Sequence, residues 1–298
     1  MQKSLAIVGA GRVGRALGRS LRKAGWRITV VVTQSDRSAK RAARFIGGGR
    51  PVAGVPATLA GAATILITVP DDAIARVASE LARAAGERMQ AKVILHTSGA
   101  LDPSVLEPLR RCGAAVGSMH PLQTFNGVNA PPLAGKVFAI DGDERAIKVA
   151  RRIARSLGGV PVGISAQNKP LYHAAGAFAA GLSLAMIEAG VEMLLSAGLG
   201  RREAEKALLS LTRQMLENYE KLGPGKAWTG PLSRGDFGVV AAHEEALCRL
   251  PPEFLGAYQA VSRLAARVLA KNPAAVIRKL NAISESVKPS GTAKGGYQ

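Results

Sequence analysis

Cysteine is nearly absent from this 298-residue sequence: Cys112 and Cys248 are its only two. That excludes a disulfide-stapled scaffold. Aromatic residues are also sparse, at 4%, which leaves little material for the stacking platforms that hold single-stranded nucleic acids. No apolar run reaches ~18 residues without a charge or a Gly-rich break, so no membrane span is expected. The opening MQKSLAIVGAGRVG has no small-residue cleavage site and does not read as a signal peptide; a cytoplasmic location is the expectation. Hydrophobic residues, at 47%, are too many and too evenly spread for a disordered chain. The length suffices for a large core in one or two domains.

Acidic side chains are the remaining scarcity. There are 21 Asp and Glu against 40 Lys and Arg, a formal charge of +19. The surplus is uneven: residues 1–165 hold 24 basic and 10 acidic side chains, residues 166–298 hold 16 and 11. The basic residues are scattered through helix-like segments such as Arg22-Lys23, Arg110-Arg111 and Arg151-Arg152, with no low-complexity tail of one sign. A solvated basic surface is therefore expected, and no nucleic-acid partner.

What is present is alternation. Leu5–Val8, Arg27–Val32, Thr64–Val69, Lys92–His96, Ala115–Met119, Val137–Ile140 and Val160–Val162 read as strands. Between them, Arg12–Ala24, Ser35–Phe45, Asp71–Ala85, Pro103–Cys112 and Glu144–Leu157 read as helices, with Asp71 or Asp72 placed to cap the third. This is the pattern of βαβ units in a doubly wound, mostly parallel Rossmann-like α/β sheet. Near residue 165 the strands stop. Gln167–Ala197, Arg201–Lys221, Glu244–Leu247 and Glu253–Leu269 read as helices. The expected organisation is an α/β domain over 1–165, an all-α domain over 166–287 and a disordered tail over 288–298.

The sharpest motif is GAGRVG, following an apolar strand and opening a helix. That is the context in which G-x-G-x-x-G binds a dinucleotide. Gly9 permits the tight turn, Gly11 lets backbone approach a pyrophosphate, and Gly14 allows close helix–strand packing. Ala10, Arg12 and Val13 complete the loop, which presents free N–H groups at the helix start. The second strand decides between NAD and NADP. Its end carries Thr33 where an NAD site carries Asp or Glu, and Ser35, Arg37, Lys40 and Arg41 follow. Hydroxyls and cations suit a 2′-phosphate, so NADP(H) is expected; Asp36 is the one nearby carboxylate that would favour NAD. Val69, Pro70 and Asp71, at the end of the next central strand, should line the same cleft.

Two further strand ends are polar. HTSGAL sets His96, Thr97 and Ser98 after one strand, and GSMHPLQTF sets Ser118 and His120 after the next. Polar groups at successive strand ends converge on one cleft. His120 reads as a proton-transfer group or as a structural, hydrogen-bonded histidine; His96 leans to the structural side. In QNKPLYHAAG, Lys169 and His173 stand four apart, hence on one helix face, and Pro170 fits a first helical turn. They read as a proton donor with its orienter, or as a surface lysine beside a packed histidine. In WTGPLSRGDFG, Arg234 could clamp a substrate carboxylate, or pair with Asp236 and only shape the loop. His243 reads as structural. No metal-ligand cluster is read from the sequence.

Taken in order, GAGRVGRALG, TVPDDAI, HTSGAL, GSMHPLQTF, KPLYHAAGAFA and TGPLSRGD resemble an uncharacterised group of proteins regarded as oxidoreductases. These have an N-terminal Rossmann-like domain and a C-terminal helical domain of unknown function. The resemblance spans about residues 3–270. The group is similar in turn to the superfamily of 6-phosphogluconate and 3-hydroxyisobutyrate dehydrogenases, pyrroline-5-carboxylate reductases and prephenate dehydrogenases. The resemblance implies a dinucleotide domain, a helical domain that often dimerises, and a substrate cleft. Lys169 matches the catalytic lysine of the hydroxyacid enzymes, with His173 where they carry Asn. Thr97 and Ser98 match their Ser/Thr element, and His120 the His-Pro element of prephenate dehydrogenases. The expectation is an NADP-dependent oxidoreductase, dimeric, acting on a small polar or acidic metabolite. Lys169, His120 and His173 would be catalytic; Thr97, Ser98, Arg234 and Asp236 would bind substrate. The alternative is an NADP(H)-binding sensor without turnover.

Overall fold

The computed structural model describes residues 3–56, 59 and 61–287; the expected disordered tail, 288–298, lies outside the described residues. Two compact units divide the chain between Leu182 and Ser183. The strand pattern fades earlier, near 165, because the first unit ends in a helix of its own.

The first unit runs β1 (Ser4–Val8), α1 (Arg12–Lys23), β2 (Arg27–Thr33), α2 (Asp36–Ile46), β3 (Arg50–Ala53), β4 (Thr64–Ile67), α3 (Asp71–Ala85), β5 (Val93–His96), α4 (Glu107–Arg111), β6 (Ala115–Pro121), β7 (Val137–Gly142), α5 (Glu144–Ser156), β8 (Val160–Gly163) and α6 (Lys169–Ala177). The eight strands lie in the order β3-β2-β1-β4-β5-β6-β7-β8. All neighbours are parallel except β6 and β7, which run antiparallel with Ser118 opposite Asp141. The central strands read as unbroken apolar runs because both faces are covered. Leu5 and Ile7 point to the side of Leu17, Leu21 and Ile153, while Ala6 and Val8 point to the side of Ile74, Val77 and Leu81. The strand order reverses between β1 and β4, and a ligand crevice opens beyond the carboxyl ends of strands at such a point.

Local sequence explains the helix ends that border this crevice. Ser35 caps α2 by accepting from the Ser38 N–H, and α2 stops at Gly47 in the left-handed region. The expected Asp71 or Asp72 cap of α3 is not formed. Pro70 occupies the cap position, and no side chain closes the turn. The Asp71 carboxylate is engaged by Ser98 instead.

The second unit is helical throughout its described residues: α7 (Ser183–Ser196), α8 (Arg201–Leu222), α9 (Pro224–Ala227), α10 (Pro231–Arg234), α11 (Phe237–Leu247), α12 (Pro252–Leu269) and α13 (Pro273–Ser286). Arg201, at the start of α8, bridges to Glu188 and Glu192 of α7 and to Glu205 one turn on. The α11–α13 core is small, centred on Val240, Ala266 and Leu280. Beside it the buried Glu244 carboxylate accepts from Gln259 (2.7 Å) and Ser284 (3.3 Å). Within the helical stretch Ala166–Ser196, one 18-residue window has a mean hydropathy of 1.6 and is 6% buried, so the stretch is long and apolar enough to cross a membrane by length and composition alone.

Candidate active site

The glycine turn has the form its sequence requires. Gly9 sits at φ +91°, and a Cβ there would lie 2.3 Å from Val69 Cγ1 and 2.8 Å from the Val69 nitrogen. At Gly14 a Cβ would lie 2.3 Å from Thr68 Oγ1, the hydroxyl that donates to the Gly9 carbonyl (2.7 Å). At Gly11 it would meet open space, the nearest heavy atom being 4.0 Å away. Two glycines are therefore demanded by packing, and the third keeps room in front of the first turn of α1. A helix leaves its first N–H groups without internal acceptors, and α1 begins just past Gly11.

A cavity of about 560 Å³ opens there, between the ends of β1, β2 and β4. Of the residues expected to hold a dinucleotide, Gly9, Ala10, Gly11, Thr33, Val69 and Pro70 line it. Arg12, Val13, Gly14 and Asp71, also expected at the cofactor, are not part of the lining. Ser35 is spent on capping α2, Lys40 pairs with Asp36 (2.6 Å), and neither these nor Arg37 is part of the lining. The cationic and hydroxyl groups at the far end are instead Ser38 and Arg41, with Gln34 beside them and Arg15 and Arg76 on the flanking helices. Ser38 and Arg41 are three apart, one face of α2, which is the spacing signal that identifies them. Asp36, the carboxylate that could have favoured NAD, is absent from the lining.

The next strand ends form a second, denser polar centre. His96 closes β5 fully buried. Its Nδ1 accepts the Ser98 N–H (3.2 Å), so its Nε2 carries the proton toward the Asp102 carbonyl (3.3 Å). Burial, reinforced by the charge of Lys169, pushes its pKa down to about 4. His96 is thus structural. Ser98 is equally committed: its hydroxyl donates to Asp71 Oδ2 (2.7 Å) and accepts from the Ala100 and Leu101 N–H groups (3.2 and 3.0 Å). Thr97 is half-buried, its N–H donating to the Ile67 carbonyl.

His120, Lys169 and His173 do come together. Pro170 lies in the first turn of α6, and Lys169 begins the helix with only 1% of its surface exposed. Its Nζ donates to the buried Ser118 hydroxyl at 2.6 Å. Burial pulls the ammonium's pKa below its ordinary value, while the carboxylates of Asp141 and Asp102 oppose the shift. Asp141 faces Ser118 across the β6–β7 ladder, and its Oδ2 is buried without a hydrogen-bond partner among the described residues. His120 Nδ1 lies 3.0 Å from the Tyr172 hydroxyl, and its ring meets both Tyr172 and His173 edge-on, with centroids 5.6 and 5.8 Å apart. Burial, then the like charges of His173 and Lys169, push His120 down to about 4; burial pushes Tyr172 up to about 12. At neutral pH this is a neutral imidazole facing a protonated phenol. Gly99 packs against the cluster so closely that a Cβ would lie 2.7 Å from His173 and 2.9 Å from His120.

Sequence reasoning passed over Tyr172 and Asp141. Tyr172 carried a signal, since Lys169, Tyr172 and His173 stand at i, i+3 and i+4. The glycine-turn cavity and the polar centre are joined by consecutive contacts. Pro70 lines the cavity, Asp71 next to it binds Ser98, and Gly99 follows against the histidines. In the second unit, Arg234 pairs with Asp236 through both Nε (2.9 Å) and a terminal nitrogen (2.8 Å), and His243 contacts the Tyr258 hydroxyl at 2.9 Å.

Comparison with known proteins agrees with this architecture. Residues 1–121 match a Rossmann-like domain family, and residues 136–265 match a domain of unknown function, DUF2520. No curated protein matches significantly. Among solved structures, a Bacteroides fragilis protein provisionally named an NADP oxidoreductase superposes with a TM-score of 0.72 at 21% identity, over 88% of this chain and 97% of its own. The reductive aminase of Aspergillus terreus, solved with NADPH and ethyl-5-oxohexanoate, gives 0.65 at 20% identity, over 90% and 94%. An imine reductase from a Pseudomonas species gives 0.62 at 19% identity, over 94% and 100%. At these identities the likeness is one of fold. In sequence, then, the chain is similar to a Rossmann-like domain over residues 1–121 and to DUF2520 over residues 136–265.

Proposed function

We propose that this protein is an NADP(H)-dependent oxidoreductase acting on a small polar or acidic metabolite. The observation that carries the reading is the buried Lys169–Ser118 pair and the His120–Tyr172–His173 cluster, one short loop away from a glycine-turn cavity that has room for a dinucleotide. Several proteins of the same fold bear reductase names, and one was solved with NADPH. The pyrophosphate would lie at Gly11 and the first amides of α1, and Ser38 and Arg41 would hold the 2′-phosphate.

A bound nicotinamide supplies or accepts the hydride. The chain's own groups handle charge and protons. Lys169 is the cation of the centre; its ammonium stabilises negative charge developing on a substrate oxygen and can donate the proton that neutralises it. Burial makes that proton easier to give up than in a free lysine. Ser118 fixes the direction of Nζ, and Asp141 keeps the ammonium charged between events. His120 and Tyr172 hold a neutral, polarised hydrogen bond beside it, suited to passing a proton on. A panel of carbonyl, imine and hydroxyacid compounds, followed by NADPH absorbance, tests the reading. Lys169→Met and His120→Ala should keep NADPH binding and lose at least about 10²-fold in turnover. Tight NADPH binding with no turnover across the panel would leave the sensor reading standing instead.

The same reading includes a homodimer built on the second unit. Leu184, Met186, Leu211, Leu216, Tyr219 and Leu222 expose apolar surface along α7 and α8, and exposed apolar surface of this kind marks an interaction site. The Arg201–Glu188–Glu192 network in the same helix pair suits a protein partner rather than lipid. Light scattering should give twice the chain mass, and Leu211→Glu should give the monomer.

A further inference from the structure

The first unit has a second concavity, of about 670 Å³, at the other end of its sheet. Its walls come from the last turns of α1 and α2 and the first residue of β2. β2 begins here at Arg27 and ends in the cofactor cavity at Thr33, so the two lie about 20 Å apart at ~3.3 Å per residue. The lining carries five cations, Arg19, Arg22, Lys23, Arg27 and Arg44, and no acidic residue. A neighbouring depression shares Arg44 and Gly47 with it.

None of the five pairs with a carboxylate among the described residues. The remaining residues of the chain contain no Asp or Glu that could supply one. Their contacts are with neutral groups. Arg19 donates to the Phe45 carbonyl and Arg27 to that of Gly61, each at 3.3 Å, while the Arg22 guanidinium lies along Gly47 and Gly48. Cations at a helix C-terminus complement its dipole, which accounts for one or two at each end. It does not account for five converging on one concavity, where like charges repel and focus a positive potential.

Two aromatic rings border the site, and both are already covered. Arg152 lies over Trp26 at 5.5 Å, and Arg19 and Arg15 lie over Phe45 at 5.0 and 5.3 Å. Neither ring is open to stack a base, so recognition here is by charge and by guanidinium hydrogen bonds, which match phosphate oxygens. We propose that this concavity is a second anion site, separate from the cofactor cleft, that takes a short chain of phosphates. The ligand chemistry is an oligophosphate, whether free or as the backbone of a nucleic acid.

The test is calorimetric titration of the full chain with inorganic tripolyphosphate, with NADPH saturating. Binding that weakens with added salt is expected. Arg22→Glu combined with Arg44→Glu should weaken it by about tenfold or more and leave NADPH affinity unchanged, which also shows that the variant is folded. Charge reversal of two distant cations, Lys206→Glu with Arg267→Glu, should leave it intact. A short single-stranded oligonucleotide forms the second arm. If it binds more tightly than tripolyphosphate and loses affinity in the same Arg22/Arg44 variant, the phosphate chain is a nucleic-acid backbone; if only tripolyphosphate binds, it is free. No binding of either at low salt overturns the proposal. So does equal loss in both double variants, or tripolyphosphate binding that is seen only when NADPH is left out.

Discussion

Gly9 and Gly11 stand two residues apart in one loop, yet a methyl group added to each should damage different properties. At Gly9 the backbone sits at φ +91°, a conformation that costs an L-residue roughly 1–3 kcal/mol. The new Cβ would also fall 2.8 Å from the Val69 nitrogen and 3.0 Å from the Thr68 carbonyl carbon. These are backbone atoms that cannot swing aside, and such overpacking adds about 1–3 kcal/mol. Gly9→Ala should therefore lose about 2–6 kcal/mol, a large share of the roughly 5–15 kcal/mol available to a folded domain. At Gly11 φ is negative (−74°) and the nearest atom is 4.0 Å away, so Gly11→Ala meets neither the positive φ nor the clash of Gly9 and should cost only about 1 kcal/mol. Its methyl group, however, would occupy the space before the α1 amides, and NADPH affinity should fall by about tenfold or more. Urea unfolding reads the first effect and NADPH fluorescence titration the second. An unchanged urea midpoint for Gly9→Ala, or parental NADPH affinity for Gly11→Ala, would refute this division of roles.

Acid should destabilise the first unit through buried His96 and half-buried His120. His96 and His120 titrate near 4 in the folded chain against an ordinary 6.5, chiefly because burial disfavours their charged forms. Between those values the unfolded chain takes up protons that the folded chain refuses. Stability is thus full above pH 6.5 and is lost as pH falls toward 4, on the order of 3 kcal/mol per histidine. Urea midpoints that stay flat from pH 7 to about 4.5 would contradict this. Tyr172→Phe removes the partner of His120 Nδ1 and should cost about 1–2 kcal/mol, with a displaced His120 titration visible in its ring-proton NMR signal. Arg41→Ala should weaken NADPH about tenfold while leaving NADH unchanged; equal losses for both cofactors would remove Arg41 from the 2′-phosphate.

The sheet was legible where burial on both faces leaves an unbroken apolar run, as in Leu5–Val8 or Val93–His96. β3 was not: Arg50–Ala53 is four residues on an edge, half of them exposed, with a proline among them. β4 ends at Ile67, two residues sooner than its apolar run suggests, although the Thr68 N–H still donates to the Val8 carbonyl. Helix α13 begins at Pro273 and buries only Leu280, and its periodicity gave too little signal. The polar centre was half legible. Strand-end polarity marked His120, and helix spacing joined Lys169 to His173. What spacing could not supply was depth: that Lys169 sinks to Ser118 and thereby brings Tyr172 onto His120. Likewise, the choice of Arg41 over Arg37 and Lys40 depends on how α2 is rotated against β2, which is set by packing and not by the basic run itself.

One consequence of the antiparallel β6–β7 pairing concerns modularity. The Rossmann-like match ends at residue 121 and the DUF2520 match begins at 136, so the seam between them falls between two hydrogen-bonded strands of one sheet. Cutting there would leave β6 with a raw edge, its N–H and C=O groups unpaired and ready to template aggregation. The other fragment would carry β7 and β8 with nothing to close their inner side. Neither piece is a portable unit, and recombination at this seam would inherit both defects at once. In this chain the two matched segments therefore depend on each other's strands.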